Sequence, residues 1–158
     1  MARTTNYDNR RVSLSIYSQL FNYQSTEEQL APTTLNGDSG GFVCAGIVKL
    51  CQSVLIFLLS DDLIFDSTWG SAIPRYMNGS VQYFASNLES VVQSAFNETI
   101  TELRFNEKTD APDDERISAL ELVSWDYIES GTGVTITIQV TSVAGEQRDV
   151  VVPLNITV

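Results

Sequence analysis

The sequence predicts an α+β protein, with an apolar core helix and a long amphipathic helix packed on a small antiparallel β-sheet. Three observations predict it. Gly41–Leu59 (GFVCAGIVKLCQSVLIFLL) is almost continuously apolar. Residues 80–103 place apolar side chains at intervals of three and four, which is the helical period. After Ile117 the chain runs through three β-type segments separated by turn residues, two of them with strict alternation, which is the strand period. Helices first and strands afterwards is the order of an α+β fold.

The chain has 158 residues, a length that suits one domain with one core. It divides into an N-terminal arm and loop, 1–40, and a globular domain, 41–158. Residues 1–11 (MARTTNYDNRR) are polar, and Arg3, Arg10 and Arg11 make them a small basic tip on an acidic protein. With no apolar h-region there, no signal peptide is expected. Val12–Phe21 fits two patterns. Val12, Leu14 and Ile16 alternate as in a strand, whereas Val12, Ile16 and Leu20 fit a helical stripe. The second half is read as helix. Residues 24–41 are rich in Thr, Ser, Gly and Pro and read as a loop.

The first helix is placed at Phe42–Ser60. It is apolar nearly all round, which implies burial on most faces. Lys49, Gln52 and Ser53 interrupt it, and its flanks, Asp38 and Asp61-Asp62, are acidic. A membrane span favours basic flanks and fewer polar interruptions, so a core helix is expected. Cys44 and Cys51 would lie roughly 10 Å apart along that helix at its 1.5 Å rise. A disulfide needs Cα atoms within about 7 Å, so both are expected as buried thiols in a reducing compartment. Asp61-Asp62 reads as a turn, Leu63-Ile64-Phe65 as a short strand and Asp66–Gly70 as its return, a short hairpin. Trp69 beside Gly70 either closes the core or anchors a neighbour, since Trp is enriched among interface anchors.

The second helix is placed at Ser80–Leu103, with Ser80 as N-cap. Val81, Phe84, Ala85, Leu88, Val91, Val92, Ala95, Phe96, Thr99 and Leu103 form one stripe, and Gln82, Glu89, Gln93, Asn97 and Glu102 the opposite one. Asn106–Asp114 (NEKTDAPDD) reads as an exposed charged loop. Strands follow at Ile117–Tyr127, Val134–Thr141 and Val150–Ile156, with turns at Ser130–Gly133 and Ala144–Glu146. Pro153 lacks the N–H that a ladder needs, which places the last strand at a sheet edge, at least locally.

Composition excludes several functions. Twenty acids against nine bases give a net charge of −11, so neither nucleic acid nor an anionic membrane is expected as a partner. Basic protein partners are favoured. There is no histidine, which removes Ser-His-Asp and Cys-His catalysis and the usual neutral-pH base. Glu27-Glu28, Asp61-Asp62 and Asp113-Asp114-Glu115 sit in polar loops. Such loops do little to raise a carboxyl pKa, as a glycosidase requires of its acid. Asp110–Glu115 contains Pro112 and no glycine, unlike a calcium loop. There is no phosphate-cradling glycine loop and no C-x-x-C. No catalytic residue, metal or cofactor is expected. Arg116, behind three acids, is either satisfied by local carboxylates or offers a planar donor fork to a partner.

The order of these segments resembles the lysozyme-like baseplate wedge proteins that initiate the sheath of contractile phage tails, a family with relatives in type VI secretion baseplates. The matching places are Cys51-Gln52-Ser53-Val54 within the apolar helix, Leu58-Leu59-Ser60 at its end, Trp69-Gly70-Ser71, and Asp114-Glu115-Arg116-Ile117 before the strands. The last corresponds to a family Glu-Pro-Arg-Ile motif; Asp114 and Glu115 stand where the family has Glu and Pro. Val151-Val152-Pro153-Leu154 resembles the family's closing strand. The resemblance spans roughly 41–156. It implies a structural virion protein of the tail baseplate, assembled in the host cytoplasm in several symmetric copies, with no enzymatic activity. Asp114, Glu115 and Arg116 would dock on the wedge core bundle, and Trp69 would contact a neighbour. Val150, Val152, Leu154 and Ile156 would present a sheet edge to which the tail sheath protein adds a strand. Tail tube or hub proteins are further candidate partners. The alternatives are an acid-type muralytic tail enzyme and a type VI secretion baseplate component.

Overall fold

The computed structural model describes residues 13–14, 17–21, 28–32, 43–60, 70–77, 81–128 and 133–155. Its elements in chain order are β1 (Ser13–Leu14), β2 (Tyr17–Phe21), β3 (Glu28–Pro32), β4 (Val43–Cys44), α1 (Ile47–Leu59), α2 (Ile73–Met77), α3 (Val81–Phe105), a 3-10 turn (Asp113–Glu115), β5 (Ile117–Tyr127), β6 (Gly133–Ser142) and β7 (Gln147–Asn155). The fold is α+β. A five-stranded sheet runs in the order β2-β3-β7-β6-β5, and β1 pairs with β4 separately.

The C-terminal meander follows the alternation that predicts it. Val134, Ile136, Ile138 and Val140 on β6 point into the core, each no more than 1% exposed, while Thr135, Thr137, Gln139 and Thr141 take the other face. The registers of β5 on β6 and of β6 on β7 keep this parity, so Val150, Val152 and Leu154 lie beside Ile138, Ile136 and Val134 on the inner face. Two register shifts, at Ile117/Ala119 and Leu122/Ser124, place bulges in β5. The helices lie across the inner face, α3 against β5 and α1 against β6 and β7. One hydrophobic cluster joins Leu50, Cys51, Val54, Leu55 and Leu58 of α1 and Leu88, Val92, Ala95 and Phe96 of α3 to the inner strand residues. Each fully buried Val, Leu, Ile or Phe among them contributes about 1.5–3 kcal/mol. Thr99 enters the apolar stripe because its hydroxyl donates to the Ala95 carbonyl at 2.6 Å.

Several expectations are corrected. The apolar run is not one helix from Phe42. Val43-Cys44 is a strand paired with Ser13-Leu14, and α1 begins only at Ile47. Gly46 separates the two at φ 64, a conformation open to glycine and strained for other residues. Cys44 and Cys51 therefore lie on different elements, and both are buried free thiols. Burial pushes the Cys51 thiol up to about 12 and raises that of Cys44, with Lys49 partly opposing. Tyr17–Phe21 is a strand, not helix, because it pairs antiparallel with β3. Glu28–Pro32, read as loop, is that partner, and it also meets β7 in parallel at Leu30 opposite Val150. The last strand is therefore not the outer strand of the sheet: β3 flanks it on one side and β6 on the other. Pro153 lies beyond the Leu30–Val150 pairing, where its missing N–H is tolerated. The hairpin expected at 61–70, and with it Trp69, lies outside the described residues but for Gly70. Among the described residues no helix is long and apolar enough to cross a membrane.

Candidate functional site

Two places stand out: the corner at the start of β5, which gathers Asp114, Glu115 and Arg116 as the sequence singles them out, and the strand β5 itself, marked by its place in the sheet order. The corner is built from backbone first. Pro112 leads into the 3-10 turn Asp113–Glu115, closed by the Glu115 N–H donating to the Pro112 carbonyl at 2.9 Å. The β6–β7 turn folds against it. Val143 N–H donates to the Arg116 carbonyl at 2.9 Å, and Ala144 N–H to the Asp113 carbonyl at 3.1 Å. Gly145 completes that turn at φ 79.

The side chains of the corner mostly face one another. Glu115 reaches the start of α1. Its Oε1 accepts the Gly46 N–H at 3.1 Å, and its Oε2 accepts Lys49 Nζ at 2.6 Å. Helix α1 has no acid in its first turn and no side-chain cap of its own. The first N–H groups of a helix carry partial positive charge and lack internal partners, so Glu115 serves as an N-terminal cap supplied from 69 residues away. Its side chain is 8% exposed, which leaves little of it for a partner. Lys49, the one base in the apolar run, is explained by the same pair.

Arg116 is held by local carboxylates, its Nε by Glu107 Oε1 and its Nη1 by Asp113 Oδ1 at 3.0 Å. These bonds, with Glu107 foremost, raise the guanidinium above its ordinary value. The side chain remains 39% exposed. Asp114 is half-buried within the turn. Sequence reasoning missed Arg104, in the last turn of α3. It donates from Nη2 to the Ser118 carbonyl at 2.9 Å and from Nε to the Ile117 carbonyl at 3.5 Å, tying the helix end to the start of β5. A lone base at a helix C-terminus is the signal that could have found it.

Strand β5 is the second place. It is the terminal strand of the sheet order, with β6 as its strand neighbour among the described residues. From the second bulge on most of its side chains are exposed, Trp125 remaining partly buried against the core. Val123 is 53% and Tyr127 56% exposed, and Trp125 meets Tyr127 edge-to-face at 5.5 Å between ring centroids. No sequence signal distinguished this strand as the outer one. By contrast Val150, Val152 and Leu154, expected to form a partner-facing edge, have their side chains in the core at 0%, 2% and 0% exposure, because the inner-face parity of β7 puts them there. Ile156 and Trp69 lie outside the described residues.

The polar step of α1 is satisfied internally. The Cys44 thiol donates to Gln52 Oε1 at 3.6 Å, and Ser53 Oγ donates to the Lys49 carbonyl. Ser71 is fully buried; its Oγ donates to the Leu58 carbonyl at 2.7 Å and accepts the Ile73 N–H, joining the end of α1 to the start of α2. Among the described residues no three Cys, Asp or Glu are grouped to hold a metal ion. Comparisons with protein-family models, with curated proteins and with solved structures gave no match.

Proposed function

We propose that this chain is a structural component of a contractile tail baseplate, which docks on the wedge core bundle and starts sheath assembly by accepting a strand at the edge of its sheet. The observation that carries the reading is the outer strand β5, eleven residues long with exposed Val123 and Tyr127 at its far half. A long edge strand presents unpaired N–H and C=O groups and invites another chain to pair. The ordered resemblance of 41–156 to the sheath-initiating wedge proteins supports placing that edge in a tail, in several symmetric copies, assembled in the host cytoplasm. Arg116 supports the docking role because its guanidinium stays at the surface while Glu115 turns inward.

Two substitutions test it in the full chain, co-expressed with wedge and sheath proteins of a contractile tail. Val123 has no Cα partner on β6, and proline is tolerated at bulges. Val123→Pro should therefore keep the fold and block pairing of an added strand. Sheath growth should fail on it. Arg116→Ala should leave the chain folded, since exposed ion pairs contribute little, yet weaken its recovery with the wedge complex. Normal sheath growth on the proline variant, or no association of the parent chain with wedge proteins, refutes the proposal.

A further inference from the structure

We propose that the segment accepted by β5 is a basic strand from another protein, carrying two Lys or Arg residues four positions apart with apolar residues just inside them. The inference rests on reading β5 as a strand-accepting edge and adds which sequence it selects.

The bulge sets the spacing. Glu121 pairs with Gln139, Leu122 with Ile138, Ser124 with Thr137, Trp125 with Ile136 and Asp126 with Thr135. Side chains directly opposite on neighbouring strands share a face. Ile136 and Ile138 are buried, so Leu122 and Trp125 belong to the inner face. Glu121 and Asp126 belong to the outer face with Gln139 and Thr135, and both are exposed. Five positions separate Glu121 from Asp126, an odd number that would place them on opposite faces of a regular strand. The extra residue at Val123 brings both carboxylates to one face. Their partners on β6, Gln139 and Thr135, are only four positions apart. A regular strand added on the free side in the same register meets the two carboxylates at positions four apart, and meets Leu122 and Trp125 at the positions between. The complementary pattern is basic, apolar, any, apolar, basic. It reads the same in either direction, so it holds for parallel or antiparallel addition.

Charge favours this occupant over a second copy of the chain. Two-fold pairing of β5 with itself about Val123-Ser124 sets Glu121 against Asp126 twice, and each chain carries a net charge of −11. Like charges directly opposite are destabilising. Among the nine bases in the sequence only Arg104 and Lys108 lie four apart, and Arg104 is held in α3 against the carbonyls of Ile117 and Ser118. The outer face around the edge adds Asp149, which accepts from Gln139 Nε2 at 3.2 Å. Among the described residues of β5, β6 and β7 the one base, Arg148, lies opposite buried Val140 on the inner face.

The test titrates the full chain with the peptide Thr-Lys-Val-Thr-Val-Lys-Thr and with its counterpart carrying Gln for both Lys. Affinity is read by calorimetry, and location by the amide resonances of residues 119–127. The Lys peptide is expected to shift those amides and to bind roughly two- to thirtyfold more tightly than the Gln peptide, the range for two cross-strand charge pairs. The exposed double variant Glu121→Gln/Asp126→Gln should keep the fold and abolish the difference. Equal binding of the two peptides to the parent chain overturns the charge selection while leaving the edge reading intact. Absence of any β5 shift with either peptide overturns both. A β5-paired dimer of the chain alone, seen as a concentration-dependent change in the same amides, also overturns the inference.

Discussion

Glu115 joins the two halves of the fold, and removing its carboxylate should show it. In Glu115→Ala the Gly46 N–H loses its acceptor at 3.1 Å and Lys49 loses its partner at 2.6 Å. Loss of a helix cap costs about 0.5–2 kcal/mol, and loss of a negative charge at a helix N-terminus about 0.3–1 kcal/mol. Lys49 keeps 21% side-chain exposure, so it rehydrates, and its pairing adds up to about 1 kcal/mol. Together these give about 1–4 kcal/mol. At about 2–4 °C per kcal/mol for a chain of this size, the melting temperature should fall by about 2–16 °C. Glu115→Gln retains an acceptor for Gly46 and should lose about 1 kcal/mol. Glu115→Pro places the residue of the wedge-protein motif at this position, and it also removes the N–H donated to Pro112; it should be at least as destabilising as alanine. Thermal melts by circular dichroism measure all three, and a Lys49→Met cycle isolates the pair. An alanine variant melting within about 2 °C of the parent refutes the cap.

Further outcomes follow from the core and the turns. Cys51 has its folded pKa raised to about 12 from an ordinary 9.0, so its contribution is complete below about pH 9 and is lost as pH rises towards about 12. Urea midpoints should fall over that window, with up to about 1.4 kcal/mol per pH unit from this group, and the fall should be shallower in Cys51→Ala. Gly145→Ala meets open space but at φ +79, so the strain alone should cost about 1–2 kcal/mol, measurable as a lower urea midpoint. Truncation before Val150 removes three core side chains of β7. The truncated chain should lose its cooperative melt altogether. Ile138→Ala, at a fully buried position, should cost about 2–5 kcal/mol.

The α3 stripe and the strands β6 and β7 were legible because each is long and strictly periodic and buries a face that the period defines, and β5 was legible from its β-type residues despite its two bulges. The N-terminal strands were not. Glu28–Pro32 holds only Leu30 and Ala31 as apolar non-proline residues, and its strand character comes from pairing with β2 and β7, which no local pattern encodes. Val43-Cys44 belongs to an apolar run that strand and helix share equally; only the conformation of Gly46 parts them. At the candidate site, the acid cluster around Arg116 was visible, and its local pairing was one of the two readings open to it. The inward role of Glu115 was not visible, because its partners lie in α1. Lys49, a base stranded among apolar residues, was the available clue that a carboxylate had to come from elsewhere. The placement of β7 at a sheet edge held only locally, at Pro153 beyond the Leu30–Val150 pairing, since one proline says nothing about whether β3 lies alongside the rest of the strand.

The parallel contact of Leu30 with Val150 gives the chain an order of construction. During synthesis β3 leaves the ribosome long before β7, the strand it leans on. Until Gln147–Asn155 emerges, the N-terminal hairpin has no strand to join, and α1 and α3 can pack only on the β5–β6 hairpin and on each other. Closure of so distant a contact is slow, and half-made intermediates with bare strand edges are prone to pair wrongly. Glu121 and Asp126, exposed on β5, then set like charges against each other wherever two copies of that edge meet in register, which opposes such mispairing during that interval.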